Sequence, residues 1–354
     1  MNVAAGEVKS SSTVNSGAGD NPFEGPEKTL EIDFVPTVGP SNGLRDIPKE
    51  KWEIVVSHAK ATILSTLSNE HCDSYLLSES SLFVYSHKVV IKTCGTTTLL
   101  GCVPSLVQFT KEVGLQLEWI GYTRKNLLFP QYQVYPHQDF QQECNFLKEK
   151  CGLEGEAYVL GPLSGEHWFI YVWDHCERPM VDSKDRTLNI MMYGLDEDVA
   201  KLFWKADTES TGSNVQKAVS AFQNLLPRKA QMDDFLFDPC GYSMNGLMDD
   251  GSYETIHITP EKDFSYASFE TNFQAKSYNM IVKKVLAFFK PKRFTMTFFA
   301  DEGGLAEMKE TPFDHSKLTV LGAEANSHTW VRQTKSVASF AADYHCILSN
   351  FVKQ

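Results

Sequence analysis

Alternation of apolar and polar side chains predicts β-strands along most of the chain. Residues 30–35 read Leu-Glu-Ile-Asp-Phe-Val, and this period of two is typical of a half-buried strand. Further runs rich in β-branched, aromatic and aliphatic residues predict strands over residues 74–86, 88–93, 115–122, 156–160, 167–174, 235–237, 253–258, 265–270 and 293–299.

Apolar residues at helical spacing predict helices between these strands. The segments concerned are residues 51–67, 98–113, 140–150, 197–206, 214–226 and 278–289. The apolar segment 336–352 fits neither period and stays unassigned. Antiparallel hairpins interrupted by amphipathic helices predict an α+β protein in which helices cover the faces of sheets.

The first 20 residues differ in composition from the rest of the chain. They are mostly Ser, Gly, Ala and Asn, with almost no apolar side chains to bury, and we expect a disordered tail over residues 1–20. Ordered structure is expected from Asn21 onward. The full chain of 354 residues is long enough for two domains or for one large one.

Charge and cysteine content narrow the class of protein. The chain has 33 Lys and Arg against 45 Asp and Glu, a net charge of −12, which disfavours nucleic acids and anionic membranes and suits cationic small molecules. No apolar run approaches the roughly 18 residues of a membrane helix. The first residues have neither a basic start nor an apolar stretch, and we do not expect them to be a secretory signal. The eight cysteines are therefore expected to be reduced thiols of a cytoplasmic protein.

The usual signatures of nucleotide, phosphate and zinc sites do not occur in the sequence, and we expect no metal. Residues 77–82, Leu-Ser-Glu-Ser-Ser-Leu, place small polar and charged residues inside a strand-like run. The ordinary interpretation is a hairpin turn or an exposed edge. The alternative is a strained turn that presents a serine hydroxyl to the carbonyl group preceding it.

Two further segments carry groups that packing alone does not require. Cys94 and Gly95 end an apolar strand before a run of threonines, which predicts a strand-to-helix turn with a capping hydroxyl. Cys94 is either inert packing or a thiol whose pKa is depressed by the helix N-terminus. His257 lies between two isoleucines of a predicted strand, so its side chain is expected on the opposite face from the isoleucine side chains. Ser243 is expected in a glycine-containing turn.

Five motifs together resemble one family, the eukaryotic S-adenosylmethionine decarboxylases. They are FEGPEK from residue 23, YLLSESSLFV from residue 75, KTCGTT from residue 92, FDPCGYSMN from residue 237 and TIHITPE from residue 255. The resemblance covers about residues 21–346. It implies one domain over residues 21–354, with a four-layer αββα sandwich of two antiparallel sheets flanked by helices.

The resemblance implies that the chain makes its own pyruvoyl cofactor. The Ser80 hydroxyl attacks the Glu79 carbonyl, and elimination then cuts the chain into residues 1–79 and 80–354. The pyruvoyl group formed from Ser80 would bind the substrate amine as a Schiff base. S-adenosylmethionine then loses CO₂ and becomes the aminopropyl donor for spermidine and spermine synthesis.

The family pattern also assigns roles to single residues. His257 matches the base and Ser243 the oxyanion donor of chain cleavage, and Cys94 matches the donor that protonates the substrate carbon. Other matches form the acidic pair and the substrate-binding set: Glu24 and Glu27 for the pair, Phe23 and Phe237 for adenine stacking, Glu261 for the ribose, and the backbone of Leu77 and Glu79 for the adenine edge.

A second acidic cluster matches the putrescine site of animal-type members. Its residues are Glu31, Asp185, Thr187, Glu270, Phe299 and Tyr344, and buried carboxylates favour a diamine as counter-charge. The sequence departs from the pattern at Asn189, where a glutamate is usual, and at Gly121, where an aromatic residue is usual. The missing carboxylate disfavours control by putrescine, which the rest of the cluster favours. Members occur as single processed pairs of chains or as dimers of such pairs, and the sequence does not distinguish them.

Two other functions are compatible with parts of the sequence. The first is a catalytically dead paralogue that regulates such an enzyme, although a dead subunit has no reason to keep Glu79, Ser80 and Cys94. The second is a thiol hydrolase that pairs Cys94 with His257.

Overall fold

Two antiparallel sheets form the centre of the protein, in a computed structural model that describes residues 23–37, 43–175, 184–205, 214–310, 313–321, 327–340 and 344–354. The predicted tail over residues 1–20 lies outside this range. The first sheet contains eight strands: β1 Lys28–Pro36, β2 Ile63–Ser68, β3 Asp73–Leu77, β4 Ser80–Val84, β5 Lys88–Thr93, β6 Leu115–Lys125, β7 Glu156–Leu160 and β8 Trp168–Asp174. Their order across the sheet is β2-β3-β4-β5-β1-β6-β8-β7.

The second sheet contains nine strands from the remainder of the described chain: β9 Arg186–Tyr193, β10 Gln231–Leu236, β11 Tyr242–Leu247, β12 Tyr253–Thr259, β13 Tyr266–Thr271, β14 Arg293–Asp301, β15 Lys317–Leu321, β16 Ser327–Phe340 and β17 Tyr344–Lys353. Their order is β10-β11-β12-β13-β9-β14-β17-β16-β15. The helices that accompany the two sheets are α1 Lys49–His58, α2 Val103–Glu112, α3 Phe140–Cys151, α4 Glu197–Lys201, α5 Asn214–Phe222, α6 Asn279–Phe289 and α7 Glu302–Ala306.

Each sheet buries one face against helices and turns the other face toward its partner sheet. Leu30 and Ile32 of β1 belong to a core shared with α1, α2 and α3, and a second core joins the other sheet to α4, α5 and α6. Trp168 of β8 packs in a further cluster with Met191 and Leu348 of the second sheet. The predicted αββα sandwich of an α+β protein is confirmed.

Polar groups cross the space between the sheets. Ser81 Oγ donates to Asn245 Oδ1 at 2.6 Å, and the Lys92 ammonium lies 2.9 Å from a Glu270 carboxylate oxygen. These side chains are almost fully buried. Buried polar groups are costly unless they are paired, so the sandwich must hold them in fixed positions.

Several predicted boundaries are wrong. The helix expected over residues 51–67 ends at His58, because the chain turns at Lys60, whose φ is +61°, and residues 63–68 pair with β3. Ser243 lies inside β11 and not in a turn. In the unassigned segment 336–352, residues 336–340 belong to β16 and residues 344–352 to β17.

Candidate active site

The candidate site begins at the two-residue turn between β3 and β4. Leu77 and Ser80 are paired across the hairpin, so Ser78 and Glu79 form its tip. Ser80 is 1% exposed and has a φ of +129°, in a region that favours glycine. A serine held there carries strain of about 1–3 kcal/mol. The motif is therefore a hairpin turn, as the ordinary interpretation expected, and its backbone is strained at Ser80, as the alternative expected; it is not an exposed edge.

His257 faces this turn from β12 of the opposite sheet. Its Nε2 atom lies 3.0 Å from Ser80 Oγ, 2.9 Å from Ser81 Oγ and 2.9 Å from Thr255 Oγ1. Burial, together with the nearby Lys92 charge, holds the pKa of His257 well below its ordinary value. The imidazole is therefore neutral near pH 7 and can accept a proton.

Ser243 supports the other side of the histidine ring. It is the direct neighbour of His257 in the β11–β12 pairing, and its Oγ lies 2.9 Å from His257 Nδ1. The assigned role for Ser243, as an oxyanion donor, stays a prediction. Its observed contact orients the imidazole.

Cys94 follows β5 and contacts the same turn from its other side. Its thiol lies 3.4 Å from the Glu79 carbonyl oxygen, which also accepts the Cys94 N–H at 3.0 Å. Burial and the carboxylates of Glu79 and Glu27 raise the pKa of the Cys94 thiol well above its ordinary value. The depressed pKa considered for Cys94 is wrong, because the thiol is desolvated and lies beside acidic groups.

The expected helix cap after Cys94 is also wrong. The short 3₁₀ helix that follows begins at Leu99, and the Thr98 side chain makes no capping hydrogen bond. Its hydroxyl donates to the His58 carbonyl at 2.8 Å instead. The Gly95 turn is held by the buried Lys28 ammonium, which donates to the Gly95 carbonyl at 3.0 Å. Sequence reasoning missed Lys28, although it stands inside the FEGPEK motif.

Glu79 itself is half-buried. Burial raises the pKa of the Glu79 carboxyl to about 7, and the Lys28 charge opposes this shift. In the other direction, burial lowers the pKa of Lys28 to about 8. Burial therefore moves the pKa values of Glu79, in the turn, and of Lys28, at the start of β1, toward neutral pH.

The acidic pair Glu24 and Glu27 is fully engaged in hydrogen bonds. Glu24 accepts the N–H groups of Leu128 and Phe129, each at 2.9 Å. Glu27 accepts the Tyr266 hydroxyl at 2.8 Å and also the Ser268 hydroxyl. Glu27 thus joins the first sheet to the second, and Glu24 fixes the loop after β6.

The predicted substrate-binding residues lie at the ends of both sheets. The Phe23 ring packs over Gly95, where an added Cβ would lie 2.9 Å from Phe23 Cε2. Phe237 directly follows β10, and its ring contacts Phe235 with a centroid distance of 4.9 Å. Burial raises the pKa of the Glu261 carboxyl, and its Oε2 has no hydrogen-bond partner among the described residues.

All six residues predicted for the acidic cluster come together between the sheets. Five of them line one cavity: Glu31, Thr187, Glu270, Phe299 and Tyr344. The sixth, Asp185, accepts the Tyr344 hydroxyl at 3.0 Å and contacts the Lys88 ammonium at 2.8 Å. Asn189 and Gly121, the two departures from the family pattern, line the same cavity.

Lysines that sequence reasoning missed enter this cluster. Lys88 lies 2.5 Å from Glu31 and 3.8 Å from Asp33, and Lys92 contacts Glu270. Burial raises the pKa of Glu31 to about 7 and that of Asp33 to about 6, despite the opposing Lys88 charge. Asp33 pairs with Lys88 in the β1–β5 register, a long-range relationship that the local sequence does not reveal.

Trp119 explains the glycine at position 121. A Cβ at Gly121 would lie 2.2 Å from Trp119 Cη2, so the indole occupies the space that a side chain at 121 would need. The Trp119 ring also contacts Tyr344, with a centroid distance of 6.1 Å. The cavity therefore keeps an aromatic wall supplied from a neighbouring position.

Within the described ranges, no group of three or more His, Cys, Asp or Glu side chains could hold a metal ion. The helices of that same part of the chain include none that is long and apolar enough to cross a membrane.

Comparison with known proteins identifies the family. The family model for adenosylmethionine decarboxylase matches residues 20–352. The S-adenosylmethionine decarboxylase proenzyme of Dictyostelium discoideum is 43% identical over 95% of this chain and 87% of its own length. That of Drosophila melanogaster is 38% identical over 84% of this chain and 89% of its own length.

A solved structure agrees with this family assignment. The crystal structure of the Trypanosoma brucei AdoMetDC-delta26 monomer superposes with a TM-score of 0.53 at 26% identity, covering 77% of this chain and 99% of that one. The chain belongs to the adenosylmethionine decarboxylase family.

Proposed function

We propose that this protein cuts its own chain between Glu79 and Ser80 and then decarboxylates S-adenosylmethionine. The product supplies aminopropyl groups for spermidine and spermine synthesis. One observation carries the proposal: Ser80, strained at a φ of +129°, has its hydroxyl 3.0 Å from the neutral imidazole of His257.

Cleavage begins as an isomerisation of the chain. Ser80 Oγ attacks the Glu79 carbonyl carbon while its proton passes to His257 Nε2, and the Cys94 N–H stabilises the negative charge on the Glu79 carbonyl oxygen. The C–N bond breaks, the nitrogen takes the proton, and an ester remains. A serine held in a strained backbone favours this step, because breaking the amide releases the strain.

Elimination follows from the ester. His257 removes the Cα hydrogen of residue 80, the Cβ–O bond breaks, and Glu79 leaves as the carboxylate that ends residues 1–79. The dehydroalanine at position 80 takes up water and loses ammonia, which produces a pyruvoyl group on residues 80–354. That group supplies a ketone carbonyl, the electron sink that amino-acid decarboxylation needs.

Cys94 is suited to protonating the substrate carbon once CO₂ has left. Its raised pKa keeps the thiol protonated at neutral pH, and its sulfur lies 3.4 Å from the carbonyl group adjacent to residue 80. A thiol hydrolase receives no support from this arrangement, because the ring nitrogens of His257 contact the hydroxyls of Ser80, Ser81, Thr255 and Ser243.

Substrate binding is proposed to use both sheets. Phe23 and Phe237 stack on the adenine, and the backbone of Leu77 and Glu79 contacts its edge. Glu261, whose Oε2 has no described partner, accepts the ribose hydroxyls. A carboxylate with a free acceptor in a half-buried position is suited to two hydroxyl donors.

Putrescine is proposed to bind in the cavity between the sheets. The carboxylates Glu31, Asp33 and Asp185 face one ammonium group, that of Lys88, so this cluster lacks two positive charges when all its groups are ionised. A diamine carries two such charges. Asn189 Oδ1 also lines this space and has no described partner.

Chain cleavage tests the proposed function directly. Ser80→Ala is expected to give one uncut, folded and inactive chain on a denaturing gel, because no hydroxyl remains to attack Glu79. Ser78→Ala is the matched control in the same turn and is expected to be cut like the wild type. An uncut wild type would support a catalytically dead paralogue, and decarboxylation by Ser80→Ala would contradict the proposal.

A further inference from the structure

Three hydroxyl groups surround His257 Nε2 at nearly equal distances. Those of Ser81 and Thr255 lie at 2.9 Å and that of Ser80 at 3.0 Å. Each hydroxyl has one proton to donate. Distance alone therefore does not determine which of them gives its proton to the imidazole, although the proposed cleavage requires Ser80.

Asn245, on the neighbouring strand β11, is oriented without ambiguity. One end of its amide faces the Tyr75 carbonyl oxygen at 3.2 Å and the Ser74 hydroxyl at 3.0 Å. A backbone carbonyl only accepts hydrogen bonds, so this end must be Nδ2. The opposite end, toward Ser81 and Thr255, is therefore the oxygen.

Asn245 Oδ1 accepts the protons of both competing hydroxyls. Ser81 Oγ lies 2.6 Å from it and Thr255 Oγ1 lies 3.0 Å from it. An amide oxygen has two lone pairs and no proton, so each hydroxyl must be the donor. Asn245 and Thr255 are completely buried, so bulk solvent does not contact these hydrogen bonds.

We infer that Asn245 is a positioning residue that selects Ser80 as the nucleophile by binding the protons of Ser81 and Thr255. Of the three hydroxyls around His257 Nε2, only that of Ser80 keeps its proton available for the imidazole. This inference rests on the proposed self-cleavage and adds to it a residue that touches neither the scissile bond nor His257.

The test compares the rate of chain cleavage in full-length variants during cell-free synthesis, followed on denaturing gels. Asn245→Ala frees the Ser81 proton to compete for His257 and is expected to slow cleavage about tenfold, the effect of one misdirected hydrogen bond. Adding Ser81→Ala to Asn245→Ala removes one of the two competing hydroxyls and is expected to restore part of the rate. A purely structural role for Asn245 would show no such recovery.

A matched variant tests the Nδ2 end of the Asn245 amide separately from its Oδ1 end. Ser74→Ala removes a partner of Nδ2 and leaves Oδ1 untouched, so its cleavage is expected at the wild-type rate. If Asn245→Ala does not fold by circular dichroism, Asn245→Ser replaces it with the same expected outcomes, since serine is too short to reach both hydroxyls.

The outcomes distinguish the role of Asn245 from the proposed self-cleavage on which it rests. A wild-type chain that is never cut contradicts the proposed function. A wild type that is cut, with Asn245→Ala equally fast, or slow and not rescued by Ser81→Ala, contradicts only the role of Asn245.

Discussion

The carbonyl oxygen of Glu79 accepts two hydrogen bonds from Cys94, one from its N–H at 3.0 Å and one from its thiol at 3.4 Å. The backbone donor is suited to the charge that develops during chain cleavage, and the thiol is suited to proton transfer afterwards. One residue therefore contributes to both reactions through different atoms.

Replacement of Cys94 should separate these two contributions. Cys94→Ala keeps the N–H, so the chain is expected to be cut, while decarboxylation falls about 10²-fold or more for lack of a proton donor. Gel analysis and release of CO₂ measure the two steps. Cys144→Ala, which removes another half-buried thiol, is the control and should keep both chain cleavage and decarboxylation. Full decarboxylation by Cys94→Ala would exclude the Cys94 thiol as the proton donor.

Loss of the histidine should stop cleavage at the ester. His257→Ala removes the base of both steps. The acyl shift is slowed but still possible, because its proton only moves from Ser80 Oγ to the amide nitrogen, whereas elimination stops for lack of a base to take the Cα hydrogen. An uncut chain containing an ester at residues 79 and 80 is therefore expected to accumulate. Hydroxylamine should then split that chain, with the two fragments visible on a denaturing gel. His71→Ala replaces an exposed histidine; it is the control and should be cut like the wild type. Resistance of the His257→Ala chain to hydroxylamine would argue against the base role.

Putrescine binding should respond to the charge at position 189. Asn189 donates to Glu270 at 2.8 Å and lines the cavity. Asn189→Glu adds a carboxylate there, and putrescine affinity by calorimetry is expected to rise about tenfold, the effect of one added buried charge pair. Asn224→Glu, on the surface, is the control. Equal putrescine affinity in the wild type and Asn189→Glu would contradict putrescine binding in this cavity.

The buried Glu254 should make stability depend on pH. Burial raises the pKa of its carboxyl to about 8, so folding favours the protonated form. The stability that comes from keeping Glu254 protonated is fully present below the ordinary pKa near 4.5 and is lost as the pH rises through about 8. Between pH 5.5 and 8 the wild type should therefore lose up to about 3 kcal/mol more than Glu254→Gln. Urea unfolding at both pH values measures this, and identical slopes with pH would contradict it.

Sequence patterns predicted the strands that have one apolar face. In β1, Leu30 and Ile32 are buried against helices while Glu31 and Asp33 face the other sheet, which is the alternation seen in the sequence. His257 was likewise predicted to face away from its isoleucine neighbours, and it does.

Elements with a short or masked alternation were missed. In β11, Tyr242 and Met244 belong to the helix-side core while Ser243 and Asn245 contact polar partners, but this alternation lies between Gly241 and Gly246, which favoured a turn. Residues 63–68 have helical spacing in isolation, and pairing with β3 overrides it. The direction of the Cys94 pKa shift depends on burial and on Glu27, which no local motif reveals.

Intact mass spectrometry of the freshly purified, folded wild-type chain tests the central claim most directly. The account predicts two polypeptides, residues 1–79 ending in an ordinary carboxylate and residues 80–354 beginning with a pyruvoyl group that reacts with carbonyl reagents. A single species with the mass of the uncut chain and no reactive carbonyl would contradict it.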